Sequence, residues 1–362
     1  MKYDKKNVTG LDPVDFSAEV GEKRTELFVL RNSTGMEVCV CNYGALILSI
    51  MVPDANDRME NVVIGAGNIH DAVKLSREYY IGATIGPVAG RIIGGRIRVG
   101  CKDYQLEINS APNTLHSGEH GFHNVVWDAV QTKRGCIELT YNYKDGEAGF
   151  PGNIKVRMTY TLTNDNELRI DYSAESDREV IYGPTNHAYF NLSGVGAPTP
   201  SVEDHLVKMN SRLYLPTDEN TNHTGEILSV DGTPFDFREF HAIGERIGEN
   251  HHQLVCGHGY DHCFVIDKKG LKELEYAATC ISPVSGRRMD IYTTEPGMIM
   301  YTGNYLPGFQ GMHGTTYPRR SAVCFETECY PDTPANLHFP SIVLRKGDIY
   351  TQTCIYKFSI QS

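Results

Sequence analysis

Apolar residues recur at every second position through much of the chain. Ile154, Val156, Met158, Tyr160 and Leu162 alternate with mostly polar neighbours. The cluster Asn164-Asp165-Asn166-Glu167 interrupts them, and alternation resumes at Leu168, Ile170, Tyr172 and Ala174. Period two on both sides of a turn cluster predicts two antiparallel strands that share one buried face. The same pattern predicts strands within 137–143, 97–108 and 349–360. Apolar stretches at 27–30 and 38–52 flank the turn-like Asn32-Ser33-Thr34-Gly35 and predict a hairpin. Short helices are predicted within 68–80 and 237–250. There is no alternation of strands with helices, which argues against a parallel α/β sheet. The stretch 193–235, rich in Pro, Thr and Asn, reads as long loops. With no linker and no strict repeat, the pattern predicts an all-β chain: one large antiparallel β-sandwich domain over residues 1–362.

Composition sharpens this picture. The 362 residues include 35 Gly and 17 Pro, a turn-rich content, and 21 Tyr and 13 Phe, which favour strands. A hydrophobic fraction of 40% with 22% charged residues excludes a wholly disordered chain. The net charge of −11 argues against a nucleic-acid partner. The longest apolar run, 45–52, is broken by Ser49 and is far short of the ~18 residues a membrane span needs. The N-terminal MKYDKKNVTGLDP has no apolar core of a signal peptide, so a cytoplasmic protein is expected. Ten cysteines in such a chain are expected to be reduced and mostly buried. Cys39-x-Cys41 lacks a second pair and reads as strand, not as a metal site.

Five segments carry candidate chemistry. In Asn113-Thr114-Leu115-His116-Ser117-Gly118, His116 stands at a strand end before a glycine loop. The only tryptophan, Trp127, follows it; the ring could stack on a sugar, although core packing is the plainer reading. In Thr185-Asn186-His187-Ala188-Tyr189, His187 is either a hydrogen-bonded core residue or a positioned acid, since an ordinary imidazole titrates near neutral pH. Cys256-Gly257-His258-Gly259-Tyr260-Asp261-His262-Cys263 has metal-binding residue types, but its spacing fits no standard finger and its glycines mark a loop. Asp261 there enters a strand. In Val323-Cys324-Phe325-Glu326-Thr327-Glu328, alternation puts Glu326 on one face with Cys324 and Glu328. A desolvated Glu326 would suit general-base work; an exposed one would be surface only. Gly86-Pro87-Val88-Ala89-Gly90-Arg91 is glycine-rich without a phosphate-loop pattern, and Arg91 reads as a clamp for a sugar or carboxylate.

Taken in order, these segments resemble the aldose 1-epimerase (galactose mutarotase) family. The resemblance runs from Asn42-Tyr43-Gly44-Ala45 and Val52-Pro53-Asp54 through Val88-Ala89-Gly90-Arg91-Ile92, Asn113-Thr114-Leu115-His116 and Thr185-Asn186-His187. It continues with Gly232-Thr233-Pro234-Phe235-Asp236-Phe237, Gly259-Tyr260-Asp261-His262, Glu295-Pro296-Gly297 and Tyr301-Thr302-Gly303-Asn304. Phe325-Glu326-Thr327, Tyr330-Pro331-Asp332 and Phe339-Pro340 complete it. The resemblance implies Glu326 as catalytic base and His187 as catalytic acid, with Arg91, His116 and Asp261 binding the sugar. It implies a shallow open cleft on a large antiparallel β-sandwich, with no metal and no organic cofactor. The expected partner is a small aldose; neither nucleic acid nor membrane is expected, and the chain is expected as a monomer or weak homodimer.

Three positions depart from the family's usual pattern. Its Asn-Arg pair is Gly90-Arg91 here, its His-Gly-Gly is His116-Ser117-Gly118, and its Glu-Thr-Gln is Glu326-Thr327-Glu328. If Glu328 faces the cleft, its charge raises the Glu326 pKa. The reaction implied is anomer exchange of a free hexose, D-galactose or D-glucose, with Glu326 taking the C1 hydroxyl proton and His187 protonating the ring oxygen O5. That requires Glu326 ionised and His187 protonated at rest, and a bell-shaped pH dependence. Alternatives are a non-catalytic sugar-binding or regulatory protein, a sugar-phosphate mutarotase, an epimerase for another free sugar, and a glycosidase using Asp261 and Glu326.

Overall fold

The computed structural model describes residues 6–197 and 200–361. Strands dominate, and among the described residues the pairings that build the large sheets are antiparallel. The predicted hairpin forms from Ile154–Leu162 and Glu167–Ser176, in a register that sets Met158 opposite Tyr172 and Tyr160 opposite Ile170. Its apolar positions are buried and their neighbours more open, as the period of two requires.

This hairpin supplies the third and fourth strands of a nine-stranded sheet. In order, its strands are Asp128–Lys133, Cys136–Tyr143, Ile154–Leu162, Glu167–Ser176, Tyr350–Ile360, Arg287–Thr293, Glu275–Ile281, Leu206–Met209 and His241–Ala242. A six-stranded sheet runs Tyr189–Phe190, Val323–Glu328, Gly297–Tyr301, Asp261–Val265, Leu213–Leu215, Leu228–Ser229. A four-stranded N-terminal sheet comprises Leu27–Arg31, Glu37–Cys41, Leu46–Pro53 and Met59–Asn61. Met298, Met300, Phe325 and Phe264 on one face of the six-stranded sheet share a core with Met158, Tyr172, Ile291 and Tyr356 of the nine-stranded sheet. The Tyr356 hydroxyl donates to the Phe325 carbonyl at 2.8 Å, tying the two layers together at the strand that carries Glu326. Residues of one parity thus make the sandwich core, and those of the other parity are left for a second face.

Several expectations are refined. The apolar stretch 38–52 is two strands, because Gly44 and Ala45, both at positive φ, turn the chain between them. The stretch 193–235 holds three short strands rather than loops alone. The helix within 68–80 forms as Ile69–Tyr79, with the Asn68 side chain accepting from the Asp71 N–H as its cap. The one within 237–250 shrinks to the single turn Ile243–Arg246, and a second short helix, His252–Cys256, precedes the glycine loop. Trp127 is core: it is buried, packs edge-on against Phe122, and gives its indole N–H to the Phe122 carbonyl. Eight of the ten cysteines are buried, and all ten are free. Among the described residues, no helix is long and apolar enough to cross a membrane.

Candidate active site

The outer face of the six-stranded sheet is a grid fixed by strand register. Asp261, Tyr301, Cys324 and Tyr189 lie in one row across four strands. The next row holds Cys263, Ile299 and Glu326, and the third Val265, Gly297 and Glu328. Alternation therefore puts Glu326 and Glu328 on the same face, two residues apart. Both are buried and both line one cleft of about 200 Å³. The cleft wall brings in Arg91, His116 and His187, so all five residues expected from the sequence, Asp261 among them, converge in one place.

Each wall residue is placed by a local device. His187 ends the short strand Thr185–His187, which pairs with Ala83–Ile85. Its ring lies between Tyr189, stacked at 4.9 Å, and Tyr80, stacked at 6.0 Å. Its Nδ1 lies 3.5 Å from the Cys324 sulfur, and its Nε2 3.6 Å from Glu326 Oε1. Arg91 opens a two-residue strand paired with Thr114–Leu115, which delivers His116 beside it. His116 Nδ1 accepts from the Gly90 N–H at 3.2 Å, so the neutral ring carries its proton on Nε2 and can donate into the cleft. His116 and Ser117 both have positive φ, unusual for residues with a Cβ. The Ser117 hydroxyl holds this turn by accepting from the Val88 N–H at 2.8 Å and donating to the Val88 carbonyl at 2.7 Å.

Burial governs the electrostatics. It pushes His187 down to about 3. Burial, then the like charges of Glu328 and Asp261, hold Glu326 well above the usual carboxylate range against the pull of Arg91. Glu328 is raised in the same direction by burial and by Glu295 and Asp261. The empty cleft thus favours a neutral His187 and a protonated Glu326, the reverse of the resting state expected from the sequence. The physical reason is desolvation: neither group has an opposite charge close enough to offset the cost of ionising in a dry pocket. His116, pushed well down by burial and then by His187 and Arg91, is also neutral.

Sequence reasoning missed Tyr80, Tyr301, Tyr305 and His223, which also line the cleft. Tyr80 ends the Ile69–Tyr79 helix in the left-handed conformation, and that strained cap sends its ring in among His116, His123 and His187. His223 is buried with both ring nitrogens unpartnered among the described residues. Its only sequence signal was an imidazole among Asn and Thr in a stretch read as loop. Cys256, His258, His262 and Cys263 do not converge. His262 bonds Gln253 in the core, Cys263 points to the opposite face of its strand, and His258 packs on Tyr305. The ligand atoms of His116, His187 and Glu326 lie within 4.8 Å of one another, a donor set able to hold a metal ion.

Comparison with known proteins places these features in context. The family model described as aldose 1-epimerase matches residues 26–357. The galactose mutarotase of Mus musculus is 38% identical over 341 residues, covering 94% of this chain and 96% of the mouse protein. The aldose 1-epimerase of Haemophilus influenzae is 31% identical, covering 96% and 99%. Among solved structures, an aldose epimerase homologue from C. elegans superposes with a TM-score of 0.85 at 28% identity, covering 93% of this chain and all of that one.

Proposed function

The chain belongs to the aldose 1-epimerase family, and from that premise we propose that Glu326 and His187 are the proton-transfer pair of its mutarotase reaction. The protein is an isomerase that interconverts the α and β anomers of an aldose. D-galactose or D-glucose is the substrate we assign. The observation that carries the residue assignment is the buried 3.6 Å approach of Glu326 Oε1 to His187 Nε2, ringed by Arg91, His116 and Asp261.

Opening a cyclic hemiacetal requires a proton to leave O1 and another to reach O5. The aldehyde then turns about C1–C2, and closure reverses both transfers. Glu326 takes the O1 proton while His187 gives one to O5; each transfer contributes about 10²–10⁴-fold. A sugar hydroxyl donating to Glu326, and O5 accepting from His187, favour the ionised form of the pair that the empty cleft disfavours. Both forms hold one proton in total, so binding shifts a proton within the pair and takes none from solvent. Arg91, Asp261 and the His116 Nε2–H hold the remaining hydroxyls in place.

Cleft charge supports a free sugar. Arg91 is the only Lys or Arg among the cleft's described lining residues and stands among the carboxyls of Glu78, Asp261, Glu326 and Glu328, so the cleft offers no cluster of cations to hold a phosphate. The test is the rate of α-to-β exchange of D-galactose and D-glucose beside hydrolysis of an aryl glycoside. Acceleration of exchange without hydrolysis is the expected result; hydrolysis without exchange would overturn the reading.

A further inference from the structure

Glu328 is only 1% exposed, and neither of its carboxyl oxygens has a hydrogen-bond partner among the described residues. An unpaired buried carboxyl is unfavourable, so such a group in a binding cleft is poised for a ligand. Gly297, its partner across the ladder, has no side chain, and the Cys263 sulfur and the Tyr330 ring fill the place a Cβ would take. Gly90, at positive φ, has none either; a Cβ there would lie 3.5 Å from Glu328 Oε1 and 3.2 Å from Pro331. The Gly90 N–H is already committed to His116 Nδ1. The charges acting on Glu328 are the carboxyls of Glu295 and Asp261, whereas the Arg91 charge acts on Glu326 and Asp261. The result is a small acidic hollow beside the group that handles O1; burial favours the protonated form of Glu328 when the cleft is empty, and a cationic donor favours its ionised form.

A ligand group that suits this hollow donates hydrogen bonds and carries positive charge. A hydroxyl satisfies one carboxyl oxygen; an ammonium has three donors, reaches both and neutralises the charge. Glu326 and Glu328 point from the same face of one strand, two residues apart, and line the same cleft, so one ring can meet both. If Glu326 serves O1, Glu328 serves the substituent on the adjacent carbon.

We propose that Glu328 is a specificity-determining residue, and that the hollow it forms beside Gly90 takes the protonated amine of a 2-amino-2-deoxyhexose. The proposal rests on the epimerase reading of the cleft and names the substrate class of that site. Acetylation of the amine removes the charge and adds bulk, so the N-acetyl sugar is a poor substrate.

The test compares anomer exchange of D-galactose, D-galactosamine and N-acetyl-D-galactosamine, and of the gluco series, at a pH that keeps the amine charged. Wild type is expected to use the amino sugar at least as well as the neutral one, and the N-acetyl sugar worst. In Glu328→Gln the amino-to-neutral ratio of kcat/KM falls by about tenfold or more. Gly90→Asn, which fills the hollow and sets an amide against the carboxyl in place of the ligand's amine, moves the ratio the same way and serves if Glu328→Gln does not fold. An unmoved ratio in a folded variant, or wild-type use of the N-acetyl sugar on a par with the amino sugar, would overturn the proposal. If wild type accelerates the neutral sugars and the ratio does not move, this inference alone fails. If wild type accelerates none of the sugars, the epimerase reading fails with it.

Discussion

At the scale of single residues, the cleft sets protonation by burial more than by pairing. To act, the proposed pair of Glu326 and His187 must hold one proton. Below about pH 3, where His187 gains its own proton with Glu326 still neutral, the pair holds two and cannot accept one from O1. Above the raised pKa of Glu326 it holds none and cannot protonate O5. Activity is therefore expected to form a broad plateau whose acid limb lies well below pH 5, with the alkaline limb reporting Glu326. Glu328→Gln removes a like charge, lowers the Glu326 pKa, and moves the alkaline limb to lower pH; a kcat/KM profile on D-galactose checks the sign. His187→Asn should cost about 10²–10⁴ in kcat with a much smaller change in KM. That Glu326, His187, His116, Arg91 and Asp261 belong together was legible because each sits in a distinctive short segment, and they line one cleft. The direction of their pKa shifts was not legible, since desolvation depends on how three sheet rows and two loops close over them.

At the scale of elements, the alternating hairpin of Ile154–Leu162 and Glu167–Ser176 was readable to its turn, because one buried face fixes its register. The strands that build the cleft are short: Arg91–Ile92, Thr114–Leu115 and Thr185–His187 have two or three residues each. Such elements have no period of their own and are held by long-range partners. The turn after Leu115 is one case where a side chain stands in for local propensity. Ser117→Ala removes both bonds to Val88 and keeps the left-handed backbone strain, so a loss of about 1–3 kcal/mol is expected. Ser117→Gly loses the same bonds but relieves the strain and should be the milder change. Urea denaturation of the two variants compares them, and equal losses would contradict this account of the turn. Gly297→Ala tests the third row of the grid. Its Cβ would meet the Cys263 sulfur at 2.8 Å and the Tyr330 ring at 3.0 Å, and overpacking of about 1–3 kcal/mol is expected from the same measurement.

At the scale of the whole molecule, the antiparallel sandwich followed from the dominance of alternation, but the strand order did not. Glu167–Ser176 pairs with Tyr350–Ile360 across about half the chain, and no local pattern specifies such a partner. This long-range layering positions the chemistry: the face of Val323–Glu328 opposite Glu326 is bolted to the nine-stranded sheet through Phe325 and Tyr356. The central claim is that one buried carboxyl and one buried imidazole on this scaffold exchange protons with the sugar. Its most direct test is the α-to-β exchange rate of D-galactose, followed by NMR, for wild type and Glu326→Gln, with sugar binding to each measured by calorimetry. The account predicts strong acceleration by wild type, and near-background exchange by a folded variant that still binds the sugar. Wild-type rates in the folded Glu326→Gln variant would contradict it.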